Sequence, residues 1–117
     1  MLLPILLCLA LQETPERVVL GYHPSWGSGP LPADLRLDRL THLAHAFLQA
    51  EEDGTLKPNK QIPHADLARR ARALNVRPLL SLGGAASAPV FRAIVAKPAA
   101  LQRYVEAVAT AALSNGY

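Results

Sequence analysis

Hydrophobic and polar positions along this chain of 117 residues fall into blocks whose period changes from strand-like to helix-like and back. Arg17-Val18-Val19-Leu20-Gly21-Tyr22 is apolar and β-branched at its start. Pro24 and Gly27-Ser28-Gly29-Pro30 bound it, so it predicts a strand. Residues 34–40 carry Leu37 and Leu40 at an i,i+3 spacing and predict a short helix. Thr41-His42-Leu43-Ala44-His45-Ala46-Phe47-Leu48 predicts a second strand, closed by the polar loop Glu51-Glu52-Asp53-Gly54.

Residues 62–74 predict a longer helix, with Leu67, Ala68, Ala71 and Leu74 on one face and Asp66 paired to Arg70 on another. Asn75 suits its stop, because Asn tolerates the left-handed conformation that ends helices. Residues 76–82 predict a short buried strand running into Gly83-Gly84. Pro78 has no N–H to donate, but it lies near the strand's start. From Ala88 the pattern is helical: a short piece carries Phe91, Ile94 and Val95. A longer helix opens at Pro98, with Leu101, Val105, Val108 and Ala112 on one face, and ends at Gly116.

The order strand, helix, strand, helix, strand, helix predicts parallel strands joined by crossovers, an α/β architecture. There is no internal repeat. Pattern alone fits both an open doubly wound sheet and part of an eight-fold barrel.

Composition narrows the class. Half the residues are apolar and 18% are charged, which suits one modest globular domain. The formal charge is +3, but the densest basic group, Arg69-Arg70-Ala71-Arg72, lies on a predicted helix away from the aromatics. A solvated face explains it better than a nucleic-acid site, which needs a basic stripe. With Cys8 the one cysteine, no intrachain disulfide is possible. The apolar run Leu2-Leu3-Pro4-Ile5-Leu6-Leu7-Cys8-Leu9-Ala10-Leu11 falls far short of the ~20 residues of a membrane span. It matches the apolar region of a secretory signal instead, so residues 1–11 read as a signal peptide and the product as secreted, extracellular or periplasmic.

Three short strings sit where the three strands end: Gly21-Tyr22-His23-Pro24-Ser25-Trp26, Thr41-His42-Leu43-Ala44-His45-Ala46-Phe47 and Leu79-Leu80-Ser81-Leu82-Gly83-Gly84. In parallel α/β folds ligands bind at the C-terminal ends of strands. Tyr22, Trp26 and Phe47 offer flat apolar faces there, of the kind on which sugar rings stack.

On these strings the chain resembles the family 18 glycoside hydrolases, the chitinase class. That family opens with a Gly-Tyr strand often followed by Pro-Ser-Trp, continues with a strand close to Thr-His-Leu-Asn-Tyr-Ala-Phe, and ends its third strand in Ser-x-Gly-Gly. The resemblance covers residues 18–117. It implies that residues 17–117 are the first three βα units of a TIM (β/α)8 barrel, truncated before strand four. In the family, Gly-Phe or Gly-Tyr leads into Asp-x-x-Asp-x-Asp-x-Glu on that strand, and here Asn115-Gly116-Tyr117 closes the sequence.

The resemblance implies a substrate-assisted retaining glycosidase, in which the Glu protonates the glycosidic oxygen and the substrate's own acetamido oxygen attacks the anomeric carbon. Tyr22 and Phe47 would line the subsite of the reacting sugar, with Trp26 as a further substrate-binding aromatic. Ser81 would hydrogen-bond the first Asp of the absent motif, and Gly83 and Gly84 would allow close backbone packing beneath the site. No catalytic residue falls within the chain, and no cofactor or metal is implied. The partner implied is chitin or another N-acetylglucosamine polysaccharide. His45 stands at the family's Tyr, Ala44 at its Asn, and Ala85 where many members carry Trp.

Other chemistry fits parts of the same strings. Tyr22 and Phe47 also fit ordinary core aromatics. His42 and His45 are expected to share a face of their strand, which would suggest a metal, but no nearby Cys or Asp completes a ligand set. Gly83-Gly84 before a helix would suit a phosphate, but no nucleotide motif surrounds it. Ser81 lacks the flanking glycines of a nucleophile elbow. The alternatives to the glycosidase are a non-catalytic oligosaccharide-binding relative and an unrelated nucleotide-binding α/β domain. Three units alone leave two open sheet edges, so the 117 residues are expected to be inactive and poorly soluble.

Overall fold

The computed structural model describes residues 17–27 and 30–117. The expectation of a signal peptide over residues 1–11 lies outside them. Three parallel strands, β1 (Leu20–Pro24), β2 (His42–Leu48) and β3 (Arg77–Leu82), form one sheet in the order β1-β2-β3. Helix α1 (Ala65–Ala73) joins β2 to β3, and α2 (Ala88–Val95) and α3 (Pro98–Asn115) follow β3.

The predicted alternation holds except between β1 and β2. Residues 34–40 are not helical. They form two successive turns, with the Leu35 N–H donating to the Pro32 carbonyl at 3.4 Å and the Leu40 N–H to the Leu37 carbonyl at 3.0 Å. So short a stretch gains few helical bonds to offset the cost of nucleation. Leu37 is nevertheless buried, and its spacing from Leu40 reports packing beneath a loop. The first strand also begins later than predicted. The Val19 N–H donates to the Thr41 hydroxyl at 2.8 Å instead of a strand partner, and regular pairing starts at Leu20.

Helix α1 starts at Ala65, not at position 62, because Pro63 disfavours helical geometry in the residue before it. Ile62 is instead buried in the preceding loop. Leu67, Ala68 and Ala71 form the buried face as predicted, Asp66 and Arg70 pair at 2.9 Å, and Leu74 turns outward as the C-cap. Asn75 follows at φ 58°, the left-handed stop its type allows. Pro98 opens α3 and Gly116 closes it at φ 78°.

The core has two centres. Leu37, Leu43, Leu67, Ala71 and Val76 join the sheet to α1. Ala50, Ile94 and Tyr104 form the second, with Phe91 and Val108 packed against it. The buried stripe of α3 therefore runs through Ala100 and Tyr104, whereas Leu101 and Val105, predicted on the buried face, are exposed. Two tertiary contacts set this rotation: Tyr104 meets Phe91 edge-on, and the Gly54 turn lies against the Ala100 carbonyl. Aromatic area outweighs an exposed aliphatic stripe.

Register defines the two faces of the sheet. Leu43 packs toward α1, and its lateral partners Gly21 and Pro78 share that face, as do His23, His45 and Leu80 one pair further on. Tyr22, Ala44 and Leu79 lie on the opposite face, and so do Ala46 and Ser81. Pro78 is accommodated because β3 is an edge strand among the described residues.

Candidate functional site

The C-terminal ends of the three strands bring the sequence strings together. Tyr22 and Ser81 occupy the face turned away from α1, in successive cross-strand rows. Tyr22 is 64% exposed and Trp26 71%, so neither serves as a core aromatic among the described residues. Trp26 stacks on Phe47 with ring centroids 5.8 Å apart and an interplanar angle of 17°. Offset stacking of this kind leaves an aromatic face open to a ligand.

Backbone contacts position this pair. The Ser25 N–H donates to the Ala46 carbonyl at 2.6 Å, and the Ser25 hydroxyl accepts the Phe47 N–H at 3.1 Å. The residue before Trp26 is thus bonded on both sides of the Ala46–Phe47 peptide, which is cis and lies where the β2–β3 register shifts. Ser25 is buried, so these bonds are shielded from water. Its place between Pro24 and Trp26 in the first string is the one sequence signal for this role.

Gly83 and Gly84 sit at φ 93° and 118°, where a side chain is strained. A Cβ on Gly84 would come within 3.3 Å of the Phe47 ring, and one on Gly83 would meet Phe91 at 2.6 Å. The Gly-Gly pair thus lets the chain after β3 lie against the aromatic pair on one side and α2 on the other. The Gly83 N–H donates to the Leu48 carbonyl at 2.9 Å, which ties β3 to β2 at this end.

A cleft of about 140 Å³ opens between Ser25, Trp26, Phe47, Gln49 and Asn59. The Asn59 carboxamide oxygen accepts the Gln61 N–H at 2.8 Å, which leaves its NH₂ as a donor. Gln49 and Asn59 were not among the predicted site residues. They lie beyond β2 in a loop without a motif, so only folding brings them to the aromatics.

The histidines divide. His42 and His45 are three apart on β2 and face opposite sides of the sheet, so they share no face for a metal. No group of three His, Cys, Asp or Glu side chains among the described residues is arranged to hold a metal ion. His42 bonds the Thr41 hydroxyl at 2.8 Å. His45 is 1% exposed and its Nδ1 lies 2.7 Å from the Tyr117 hydroxyl. Burial, then the charges of His23 and His64, push His45 down to about 4 from the ordinary 6.5.

Carboxylates stand apart from the aromatic pair. Asp53 caps its own turn through Thr55, and its carbonyl accepts from Arg103 at 2.5 Å. Glu106 is exposed on α3, beside Gln102. No helix among the described residues is long and apolar enough to cross a membrane.

The three parallel strands and the helices after β2 and β3 match part of the (β/α)8 barrels of solved chitinases. The chain is similar to a chitinase from Rhizomucor miehei, with a TM-score of 0.70 at 20% identity over 82% of this chain and 30% of that one. It is similar to a mutant GH18 chitinase from Cycas revoluta in complex with (GlcNAc)4, with a TM-score of 0.69 at 24% identity over 84% of this chain and 31% of that one. The Bacillus megaterium spore cortex-lytic enzyme SleL aligns with a TM-score of 0.70 at 22% identity, over 89% of this chain and 26% of that one. The chain thus spans under a third of the length of these structures. No family model matches the sequence, and no curated protein does.

Proposed function

We propose that the chain is the N-terminal part of a family 18 glycosidase, a chitinase-like enzyme that cleaves β-1,4-linked N-acetylglucosamine polymers by the substrate-assisted route. The support is convergent. Three family strings fall in order at the ends of three parallel strands, and the fold matches part of solved chitinase barrels. In this reading Tyr22 and Phe47 line the subsite of the reacting sugar, Trp26 is a stacking platform, and Ser81, Gly83 and Gly84 support the site. Residues 1–11 direct export, and the ligand is chitin or a related polysaccharide.

The sequence contains no Asp-x-x-Asp-x-Asp-x-Glu string. A general acid must lie within hydrogen-bond reach of the bond it protonates. In this reading the 117 residues by themselves do not cleave glycan. The observation that carries the reading is the exposed Trp26 stacked on Phe47 at the strand ends.

Trp26 is the one tryptophan, so intrinsic emission reports on this site alone. Titration with (GlcNAc)4 should change that emission saturably, and a cello-oligosaccharide, which lacks the acetamido group, should change it far less. No response to (GlcNAc)4, or an equal response to both, would overturn the reading. A second reading, a non-catalytic binding relative, draws support from Ala44, His45 and Ala85 at positions where the family carries Asn, Tyr and Trp. It predicts the same emission change but no hydrolysis of (GlcNAc)4 by the gene's complete product.

A further inference from the structure

The cleft beside the aromatic pair has polar groups that ring stacking does not use. Ser25, Trp26, Phe47, Gln49 and Asn59 line it, so two aromatic rings and two carboxamides meet there without a charged side chain. At about 140 Å³ it falls below the ~300 Å³ at which pockets begin to enclose a small molecule. It suits one substituent of a sugar whose ring lies outside.

Backbone bonds hold both carboxamides in place. The Lys57 N–H donates to the Gln49 carbonyl at 2.8 Å, and Ala50 bridges Leu56 in antiparallel fashion, so the chain doubles back after β2. That return carries Asn59 to the cleft. The Gln61 N–H donates to the Asn59 side-chain oxygen at 2.8 Å, and the Ile62 N–H to its carbonyl at 3.4 Å. An N–H needs an oxygen, so the Gln61 bond decides which way the Asn59 carboxamide is turned. Its oxygen is spent within the loop, and its NH₂ is the end left for a ligand.

These groups discriminate between two substituents that a glycan of this class can carry. An acetamido group is neutral and presents a carbonyl oxygen, an N–H and a methyl. A free amine takes up a proton and becomes a cation with donors only. No carboxylate lines the cleft to pair that cation, and the Asn59 NH₂ is a donor as well. A charge drawn from water without a partner is costly.

We infer that Asn59, together with Gln49, reads the 2-acetamido group of the sugar carried by Trp26, and so selects N-acetylated over deacetylated residues at this position. The assignment rests on Trp26 and Phe47 being a glycan platform, as proposed above. The Asn59 NH₂ donates to the acetamido carbonyl, the Gln49 carboxamide oxygen accepts the acetamido N–H, and the aromatic rings shield the methyl. A site built to hydrogen-bond one group rejects an analogue that lacks it, because its own polar groups are then left unpaired.

The test is a titration of Trp26 emission with (GlcNAc)4 and with the fully deacetylated glucosamine tetramer, at a pH where the amines are protonated. The parent should bind (GlcNAc)4 about tenfold more tightly or better. Asn59→Ala removes the donor and should weaken (GlcNAc)4 by roughly three- to tenfold, with the deacetylated tetramer changed by less than about twofold. Asn59→Asp keeps an oxygen for the Gln61 N–H and puts an anion in place of the donor. It should weaken (GlcNAc)4 and strengthen the deacetylated tetramer. Equal affinity for the two tetramers in the parent, or variants that keep the parent's preference, overturn the inference and leave the glycan platform standing. Silence of Trp26 toward both tetramers overturns the platform and the inference with it. Should Asn59→Ala not fold, Asn59→Asp decides, since its loop bond is kept: a lowered or reversed preference supports the inference and an unchanged one overturns it.

Discussion

The Ser25 hydroxyl accepts the Phe47 N–H at 3.1 Å, and this bond joins the loop after β1 to the end of β2 beside the exposed aromatic pair. Trp26 follows Ser25 directly, so the bond fixes the spacing of the two rings through the backbone. Ser25→Ala would leave the Phe47 N–H without its acceptor in a buried setting, at a cost of about 1–3 kcal/mol. Chemical denaturation should show that loss, and Trp26 emission should shift toward that of a free indole. An unchanged emission spectrum would mean that stacking holds the pair without the serine.

Gly54 sits at φ 89° with its missing side chain aimed at the Ala100 carbonyl at the start of α3. Gly54→Ala brings a steric clash together with a strained backbone, so it should cost more than the ~1 kcal/mol of an ordinary glycine replacement. The midpoint of urea unfolding would report it. Loss of the Arg103 bond to the Asp53 carbonyl should accompany it, because both contacts hold the same turn on α3.

Tyr104 is 8% exposed, and its hydroxyl has no hydrogen-bond partner among the described residues. Burial pushes the phenol above its ordinary range, so the group resists ionisation when folded. Tyr104→Phe keeps the edge-on packing against Phe91 and removes the unsatisfied oxygen. It should be neutral or stabilise the fold by roughly 1 kcal/mol. A destabilised variant would reveal a partner for this hydroxyl.

His45 also sets the direction of the pH dependence. Its folded value of about 4 lies below the ordinary 6.5, so the unfolded chain binds more protons between those limits. The contribution to stability is complete above pH 6.5 and falls away as the pH drops through 4. Each unit of displacement corresponds to about 1.4 kcal/mol. Unfolding free energies measured at steps from pH 7 to pH 4 should fall in the parent and change much less in His45→Gln.

Much of the frame was legible in the chain. The three strands and the helices after β2 and β3 declare themselves because periodicity and backbone preference act within a few residues. Pro98 opens a helix, and Asn75 and Gly116 close helices, by their own dihedral preferences. The three strings fall at strand ends because Gly, Pro and Ser interrupt regular pairing where they stand. The same local logic failed at residues 34–40, where an apolar i,i+3 spacing marked loop packing and not a helix.

The sequence by itself thus determined the order of the three strands and of the helices after β2 and β3, and the aromatic and glycine residues gathered at the strand ends. Tertiary structure decided which face α3 buries, that Gln49 and Asn59 join the cleft beside Trp26, and that His45 meets Tyr117 across 72 positions. The division has one physical cause. Dihedral preferences and periodicity are properties of neighbours along the chain, whereas burial and pairing depend on which distant side chains the fold brings into contact.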